Sequence, residues 1–285
     1  MDMSMDELTI VAAQFDPHLF DAAYNLSKIE ELIEQAGEDC DLIVFPEAAL
    51  TGYCFSNEEE TRRGAIERTG PELRRLQEIA AKRNLSIVVG AVEWAGKELY
   101  NTVFFLEPDG TLFSYYKSHL PFLGVDRFVQ AGEEPAAVFE TRFGPIGMIV
   151  CYELRFPEAA RIAALRGARL LLQPTNLPEG GESHPDFLSR ARACENRIFL
   201  VSCNRCGTER GFTFLGRSQI VDYNGTVLQE TGEGEALISA RIDLTEAENK
   251  DIISAPGERE LYLLRDRRWD LYAPLSQRPQ EHGFL

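Results

Sequence analysis

The sequence predicts a layered α/β fold in one domain, with β-sheets inside and helices outside. Two observations favour it: short apolar runs alternate with helical periodicity along the chain, and no linker, low-complexity segment or fixed-period repeat interrupts them. Of the 285 residues, 44% are hydrophobic and 26% are charged. A chain of this length and composition buries a sizeable core, which excludes intrinsic disorder.

The elements follow in chain order. Apolar runs, several of them bounded by turn residues such as Asp222-Tyr-Asn-Gly225, predict strands at Leu8–Gln14, Asp41–Phe45, Ser86–Val92, Tyr100–Leu106, Thr111–Tyr116, Ile146–Val150, Leu170–Gln173, Ile198–Asn204, Ser218–Tyr223, Thr226–Glu230 and Ala236–Ile242. Helical spacing predicts helices at Asp21–Gly37, Glu72–Lys82, Glu158–Gly167, His184–Glu195 and Glu246–Ile252. We assign residues 1–257 to the domain and residues 258–285 to a C-terminal arm without a core of its own.

The charge balance argues against nucleic-acid and membrane partners. Lys and Arg number 29 against 46 Asp and Glu, a net charge of −17, and no basic patch stands out. The chain has no apolar run of 18 residues, so we expect no transmembrane helix. The acidic N-terminus lacks the basic start of a signal peptide, and we predict a cytoplasmic protein.

The six cysteines are too sparse for a disulfide scaffold. Cys203 and Cys206 have the C-x-x-C spacing, but no second ligand pair follows, so we predict no metal site and no cofactor. A redox role for this pair is kept as an alternative.

Three apolar strands end in a reactive side chain: Glu47, Lys117 and Cys151. Ligand sites of α/β sheets lie beyond the carboxyl ends of strands, so the three converge if these strands are neighbours. A cysteine attacks an acyl carbon as its thiolate and needs a base, for which Glu47 is suited. Lys117 supplies a positive charge to the thiolate and to an oxyanion. On spacing alone, the trio indicates a cysteine hydrolase without histidine.

The residues around these strand ends form longer motifs: Phe45-Pro-Glu47 with Thr51-Gly-Tyr53, Tyr116-Lys117-Ser-His-Leu120-Pro121, and Gly147-Met-Ile-Val-Cys151-Tyr-Glu-Leu-Arg-Phe-Pro-Glu158. They resemble the three signature blocks of the nitrilase superfamily, the carbon–nitrogen hydrolases. Later segments, including Gln173-Pro-Thr-Asn176 and Arg190-Ala-Arg-Ala-Cys-Glu-Asn196, extend the resemblance over about residues 8–245.

The resemblance implies an α-β-β-α sandwich and a triad in which Glu47 is the general base, Lys117 the cationic residue and Cys151 the nucleophile. It also implies a homodimer or higher homo-oligomer, with the C-terminal arm packing on a partner subunit. The backbone N–H of Tyr152 would help to hold the oxyanion. A non-catalytic dimeric scaffold is the remote alternative.

The residues after Cys151 favour an amidase branch. True nitrilases typically carry Cys-Trp-Glu, whereas Cys151-Tyr-Glu-Leu-Arg-Phe-Pro-Glu158 is closer to the Cys-Tyr-Asp-Leu-Arg-Phe-Pro-Glu of amidases that act on small dicarboxylate monoamides. Arg155 would grip a substrate carboxylate or, alternatively, pair with Glu158 or Glu195. Tyr53 and Asn176 are candidates for the pocket wall. We predict hydrolysis of a primary amide, with a nitrilase or an N-carbamoyl-amine hydrolase as alternatives.

Many members of this family place a second Glu between the Lys and the Cys, seven residues before a turn Gly. Counting back seven from Gly132 gives Val125, which cannot bind a lysine. Asp126 is one place further on, but it is one methylene shorter than Glu. Glu133 lies just past the Gly. We favour Asp126 as the fourth carboxylate and keep Glu133 as the alternative.

Overall fold

The apolar runs of the sequence form two six-stranded mixed sheets, described by a computed structural model over residues 7–277. In sheet one the spatial order is β14-β1-β2-β3-β4-β5, with strands β1 (Glu7–Gln14), β2 (Leu42–Val44), β3 (Ser86–Ala95), β4 (Glu98–Leu106), β5 (Leu112–Tyr116) and β14 (Ala236–Asp243). In sheet two the order is β13-β12-β9-β8-β7-β6, with strands β6 (Ala137–Thr141), β7 (Gly144–Met148), β8 (Leu170–Thr175), β9 (Phe199–Asn204), β12 (Gln219–Val221) and β13 (Val227–Glu230).

Helices flank the sheets: α1 (Ala22–Ala36), α2 (Glu58–Gly64), α3 (Pro71–Arg83), α4 (Pro157–Leu165) and α5 (Ser189–Asn196). The Asp21 side chain caps α1 by accepting from the Tyr24 N–H at 3.0 Å. Pro71 and Pro157 begin α3 and α4, where their missing N–H costs nothing. A π-helical turn, His184–Leu188, leads into α5, so the predicted helix at 184–195 is confirmed with a different first turn.

Three apolar clusters fill three spaces between four layers. Ile10 and Ala12 of β1 point between the sheets and belong to one apolar cluster with Phe199 and Val201 of the facing strand β9. On the other face of sheet one, apolar residues pack with α1 and α3. The alanines of α4 pack on sheet two with Leu171 and Leu200 in the third cluster. Successive side chains of a strand point alternately towards the other sheet and towards the helices. The predicted α-β-β-α sandwich is therefore confirmed.

The predicted helix at Glu246–Ile252 is wrong. The structure has one 3-10 turn, Leu244–Ala247, followed by strand β15 (Asp251–Ala255), which pairs antiparallel with β16 (Arg259–Tyr262). Leu244 and Ala247 are fully buried, which fixes this single turn. The β-branched residues Ile252 and Ile253 that follow favour an extended chain. The sequence analysis also missed α2, β6 and the two-residue strands β10 (Thr208–Glu209) and β11 (Phe212–Thr213).

The chain divides into two compact units, the first ending at Glu248 and the second beginning at Asn249. The predicted boundary after residue 257 falls inside the second unit. That unit contains the β15–β16 hairpin and the 3-10 turns Trp269–Leu271 and Ala273–Ser276. Residues 278–285 of the predicted arm and the first six residues of the N-terminal segment lie outside the described residues. Between residues 7 and 277, no helix is long and apolar enough to cross a membrane.

A glycine of β3 lets the turn after β2 approach sheet one. A Cβ on Gly90 would lie 2.4 Å from the Ala48 nitrogen and 2.7 Å from the Glu47 Cα. Ala48 has φ +51°, so this turn is already strained and has little freedom to move aside. Gly90 therefore sets where the Glu47 backbone lies.

We expect Gly90→Ala to destabilise the fold by about 1–3 kcal/mol, since the added methyl overpacks a backbone contact. Urea unfolding measures the effect. Gly234→Ala is the matched control, because a Cβ there meets nothing within 4 Å. Equal stability of the two variants would show that the turn shifts freely.

Candidate active site

A buried lysine joins two carboxylates at one end of the sheets. Lys117 follows β5, and its Nζ lies 2.7 Å from Glu47 Oε1 and 2.6 Å from Asp126 Oδ2. All three side chains are inaccessible to solvent. Asp126 lies on the 3-10 turn Gly124–Arg127, which carries its shorter side chain to the lysine. With both carboxylates ionised, the trio has a net charge of −1.

Two neutral side chains hold the carboxylates in place. Asn101 Nδ2 donates to Glu47 Oε1 at 2.7 Å and to Asp126 Oδ1 at 2.8 Å. The Tyr53 hydroxyl donates to Asp126 Oδ2 at 2.8 Å. The sequence analysis missed Asn101, although an Asn inside the apolar run of β4 is a signal, since a buried amide needs partners. Glu47 Oε2 is buried and has no hydrogen-bond partner among residues 7–277.

The cysteine lies on a strained turn between β7 and α4. Cys151 is only 5% exposed and has φ +48°, a conformation that L-residues rarely adopt. It begins the 3-10 turn Cys151–Arg155, and Gln173 Nε2 donates to its carbonyl oxygen at 2.9 Å. This strain is typical of a site where the chain must aim one side chain.

The electrostatics keep the resting thiol protonated. Burial raises the pKa of Cys151 to about 12, and the Glu47 charge adds to the rise, while the Lys117 charge opposes it. Burial also raises the pKa of Glu47, against the pull of Lys117. Burial alone lowers the pKa of Lys117, but Asp126 and Glu47 together hold it well above that of an ordinary lysine.

A further buried carboxylate lies in the same turn as the cysteine and was missed by the sequence analysis. Glu153 is fully buried and accepts the Val150 N–H at 2.7 Å and the Ser118 N–H at 2.9 Å. Its sequence signal is an acidic residue two places after the Cys, inside a largely apolar segment.

The other predicted pocket residues differ in how far they are buried. Asn176 is fully buried, and neither its side-chain nitrogen nor its oxygen has a partner in the described part of the chain. Tyr152 is half-buried and packs edge-on against Phe156. Arg155 is exposed, and within residues 7–277 its side chain forms no ion pair, so the pairing with Glu158 or Glu195 is not found.

Glu133, the alternative fourth carboxylate, is exposed and contacts none of these groups, whereas Asp126 binds Lys117 directly. The shift by one place from the expected spacing is absorbed by the 3-10 turn. Across residues 7–277 no cluster of three His, Cys, Asp or Glu side chains is arranged to hold a metal ion.

The sequence of this chain is similar to those of known proteins. The pattern of the carbon-nitrogen hydrolase family matches residues 9–250. The chain belongs to the carbon–nitrogen hydrolase family. It is 34% identical to a probable nitrilase of Schizosaccharomyces pombe over 93% of this chain and 97% of that protein. It is 32% identical to the 2-oxoglutaramate amidase of Bacillus subtilis, over 93% of this chain and 99% of the amidase.

Solved structures agree with this carbon–nitrogen hydrolase fold. An amidase from Nesterenkonia sp. superposes with a TM-score of 0.78 at 28% identity, covering 96% of this chain and 98% of the amidase. A variant of that amidase carries the acetamide moiety of fluoroacetamide on its active-site cysteine, and another variant was crystallised with acrylamide. This chain is therefore an enzyme of the family, and its relatives include amidases.

Replacing the central lysine tests the charge balance of this hydrolase site. We expect Lys117→Gln to destabilise the fold at pH 8 by about 3–5 kcal/mol, because two buried carboxylates lose their counter-ion. The loss of Lys117 raises the pKa of Glu47 further above its unfolded value. A raised folded pKa makes stability fall as pH rises, so the deficit shrinks as pH drops towards about 4.3.

Urea unfolding at pH 5 and pH 8 measures this difference. Lys28→Gln is the control, since Lys28 also pairs with two carboxylates, Glu31 and Glu235, but both of those are solvent-exposed. We expect about 1 kcal/mol or less for it at both pH values. A pH-independent deficit in Lys117→Gln would mean that the carboxylates are already neutral.

Proposed function

We propose that this carbon–nitrogen hydrolase converts a primary amide into a carboxylic acid and ammonia through a thioester on Cys151. The observation that supports it most is the Lys117 ammonium held by Glu47 and Asp126 beside a buried thiol on a strained turn. A thiol, a base and a fixed positive charge are the groups that acyl transfer requires.

The first half-reaction begins with a proton transfer. Glu47 Oε1 is engaged by Lys117 and Asn101, so Oε2 is the oxygen that accepts the thiol proton. The raised pKa of Glu47 and the Lys117 charge beside the thiol both favour this transfer. The sulfur then attacks the amide carbon, forming a C–S bond and an oxyanion.

Proton transfer and oxyanion binding are coupled through charge. While Glu47 is ionised, the Lys117 ammonium is shared between two carboxylates. Once Glu47 is neutral, the ammonium faces only Asp126 and is free to stabilise the oxyanion, together with the Tyr152 N–H. When the C–N bond breaks, the proton on Glu47 passes to the departing ammonia, leaving the thioester and a carboxylate.

The second half-reaction regenerates the thiol. Glu47 takes a proton from water, and the resulting hydroxide attacks the thioester carbon over the same Lys117 charge. The C–S bond breaks, the sulfur recovers the proton, and the acid leaves. No cofactor takes part in these steps.

Two features support a substrate that carries a carboxylate in addition to its amide. Arg155 has no ion-pair partner within the described chain, and the buried Asn176 amide offers both a donor and an acceptor. Two relatives at 32% and 33% identity are 2-oxoglutaramate amidases. Arg155 would bind the distal carboxylate through its planar guanidinium.

The alternatives are a nitrilase and an N-carbamoyl-amine hydrolase. Two relatives carry the name nitrilase, one of them as a probable nitrilase. A screen of ammonia release over nitriles, aliphatic and aromatic amides, ω-amides of dicarboxylates and N-carbamoyl compounds decides among them. Nitrile turnover above amide turnover would contradict the amidase proposal.

The redox alternative is disfavoured by burial. Burial raises the pKa of Cys206 to about 11 and that of Cys203 still further, so neither thiol forms a thiolate readily near neutral pH.

A homodimer remains a prediction. The second unit exposes Trp269, Leu271 and Leu275, which supports its role as an arm that packs on a partner. The cytoplasmic location also remains a prediction.

We expect Cys151→Ala to abolish ammonia release from every amide substrate while the fold stays intact. Loss of an activated nucleophile removes on the order of a millionfold of kcat. Cys194→Ala is the control, since that thiol is exposed on α5, and it should keep wild-type activity. Residual turnover of Cys151→Ala above about a thousandth of wild type would rule out the thioester route.

Asp126→Asn and Glu133→Gln compare the two candidate carboxylates. We expect Asp126→Asn to lower kcat at least tenfold, because a misplaced Lys117 costs about a hundredfold in rate per 1 Å. Alkylation should still label Cys151 in that variant. Glu133→Gln should be nearly silent. Steady-state kinetics separate them, and the reverse ranking would assign the role to Glu133.

A further inference from the structure

One buried carboxylate joins the two sheets next to the site. Glu153 Oε2 accepts the N–H of Val150, the residue before Cys151, at 2.7 Å. Its Oε1 accepts the N–H of Ser118, the residue after Lys117, at 2.9 Å. Val150 follows β7 of sheet two and Ser118 follows β5 of sheet one. A single side chain therefore connects the two backbones that carry the nucleophile and the cation.

Every described contact on Glu153 Oε1 comes from sheet one or from the segment that follows it. Besides the Ser118 N–H, the Ser118 hydroxyl donates at 2.7 Å and the Tyr115 hydroxyl at 2.7 Å. His119 adds two longer contacts of 3.3 Å, one from its backbone N–H and one from its ring Nδ1. Within residues 7–277 no lysine or arginine pairs with this carboxylate. The four shortest contacts of the carboxylate therefore come from two backbone N–H groups and two hydroxyls. A carboxylate accepts all four because both of its oxygens are acceptors.

We infer that Glu153 is a positioning residue that fixes Cys151 relative to Lys117. This inference rests on the proposed thioester function. Each oxygen of Glu153 accepts hydrogen bonds from a different side, so a carboxylate satisfies the donors that follow both sheets. A Gln at this place has one oxygen and one NH₂, and the NH₂ meets a donor on one side or the other. An Asp keeps the charge but lacks the length to reach both N–H groups.

A second carboxylate offers a matched control. Glu107 is also buried and also spans the sheets, accepting the Arg142 N–H at 3.1 Å and the Ser86 hydroxyl; unlike Glu153 it also has an arginine nearby, with Arg142 Nε 3.7 Å from Oε2. It lies at the opposite end, since Leu106 pairs with Leu112 at the start of β5, whereas Lys117 follows the end of β5. Arg142 precedes β7, whereas Val150 follows it. Glu107→Gln therefore weakens the sheet contact away from the site.

We expect Glu153→Gln and Glu153→Asp to lower kcat at least about tenfold, with KM within about threefold, because positioning errors of about 1 Å cost about a hundredfold. Iodoacetamide alkylation of Cys151, followed by peptide mass spectrometry, should slow in both. A role through charge alone predicts the opposite for Gln, since removing a nearby negative charge lowers a thiol pKa and speeds alkylation. Glu107→Gln should lose stability with kcat and alkylation unchanged.

Two results would overturn the inference: faster alkylation in Glu153→Gln with wild-type kcat in Glu153→Asp, or a pattern equal to that of Glu107→Gln. If both variants of Glu153 fail to fold, the same measurements are made on Tyr115→Phe instead. It removes one of several donors from Oε1 and should lower kcat at least about twofold while the protein stays folded. Wild-type kcat and alkylation in Tyr115→Phe would then overturn it.

The two proposals fail separately. If the wild-type enzyme turns over none of the screened amides, nitriles or carbamoyl compounds, the proposed function fails. The alkylation rate of Cys151 is measured without substrate, so it still decides whether Glu153 positions the thiol.

Discussion

The Lys117 ammonium between Glu47 and Asp126 is the interaction on which the site depends. Burying any one of these charges alone costs several kcal/mol, and together they leave a net charge of −1. Burial is the main cause of the raised pKa of both the Cys151 thiol and Glu47, and the negative charges of the site add to each rise, so the thiol is protonated at rest and Glu47 has an affinity for its proton. The net charge of the trio vanishes when Glu47 takes the proton, which frees the ammonium for an oxyanion.

The sandwich brings these groups together from opposite sheets, so their separation depends on how the sheets are joined. Sheet one supplies Glu47 and Lys117 at strand ends, and sheet two supplies Cys151 on a left-handed turn. The apolar filling between the sheets sets the layer spacing in general. Close to the site, Glu153 and the tight approach of Gly90 add the local constraints that an apolar core does not provide.

The strand-end residues could be predicted from sequence because strand ends of neighbouring strands meet at one edge of a sheet. The fourth carboxylate could not be fixed by counting, since the 3-10 turn at Gly124–Arg127 decides where Asp126 points. Asn101 and Glu153 were missed for another reason. Their partners come from segments distant in sequence, so only the assembled sheets show what a buried amide or carboxylate binds.

Titration of Lys117 by NMR of its 13Cε signal tests the central constraint most directly. The two carboxylates predict that Lys117 stays charged at pH values where an ordinary lysine, with a pKa of about 10.4, loses its proton. Its signal should move down in pH when Asp126 is replaced by Asn. Deprotonation of Lys117 at a lower pH than an ordinary lysine would contradict the account, because burial would then outweigh the carboxylates.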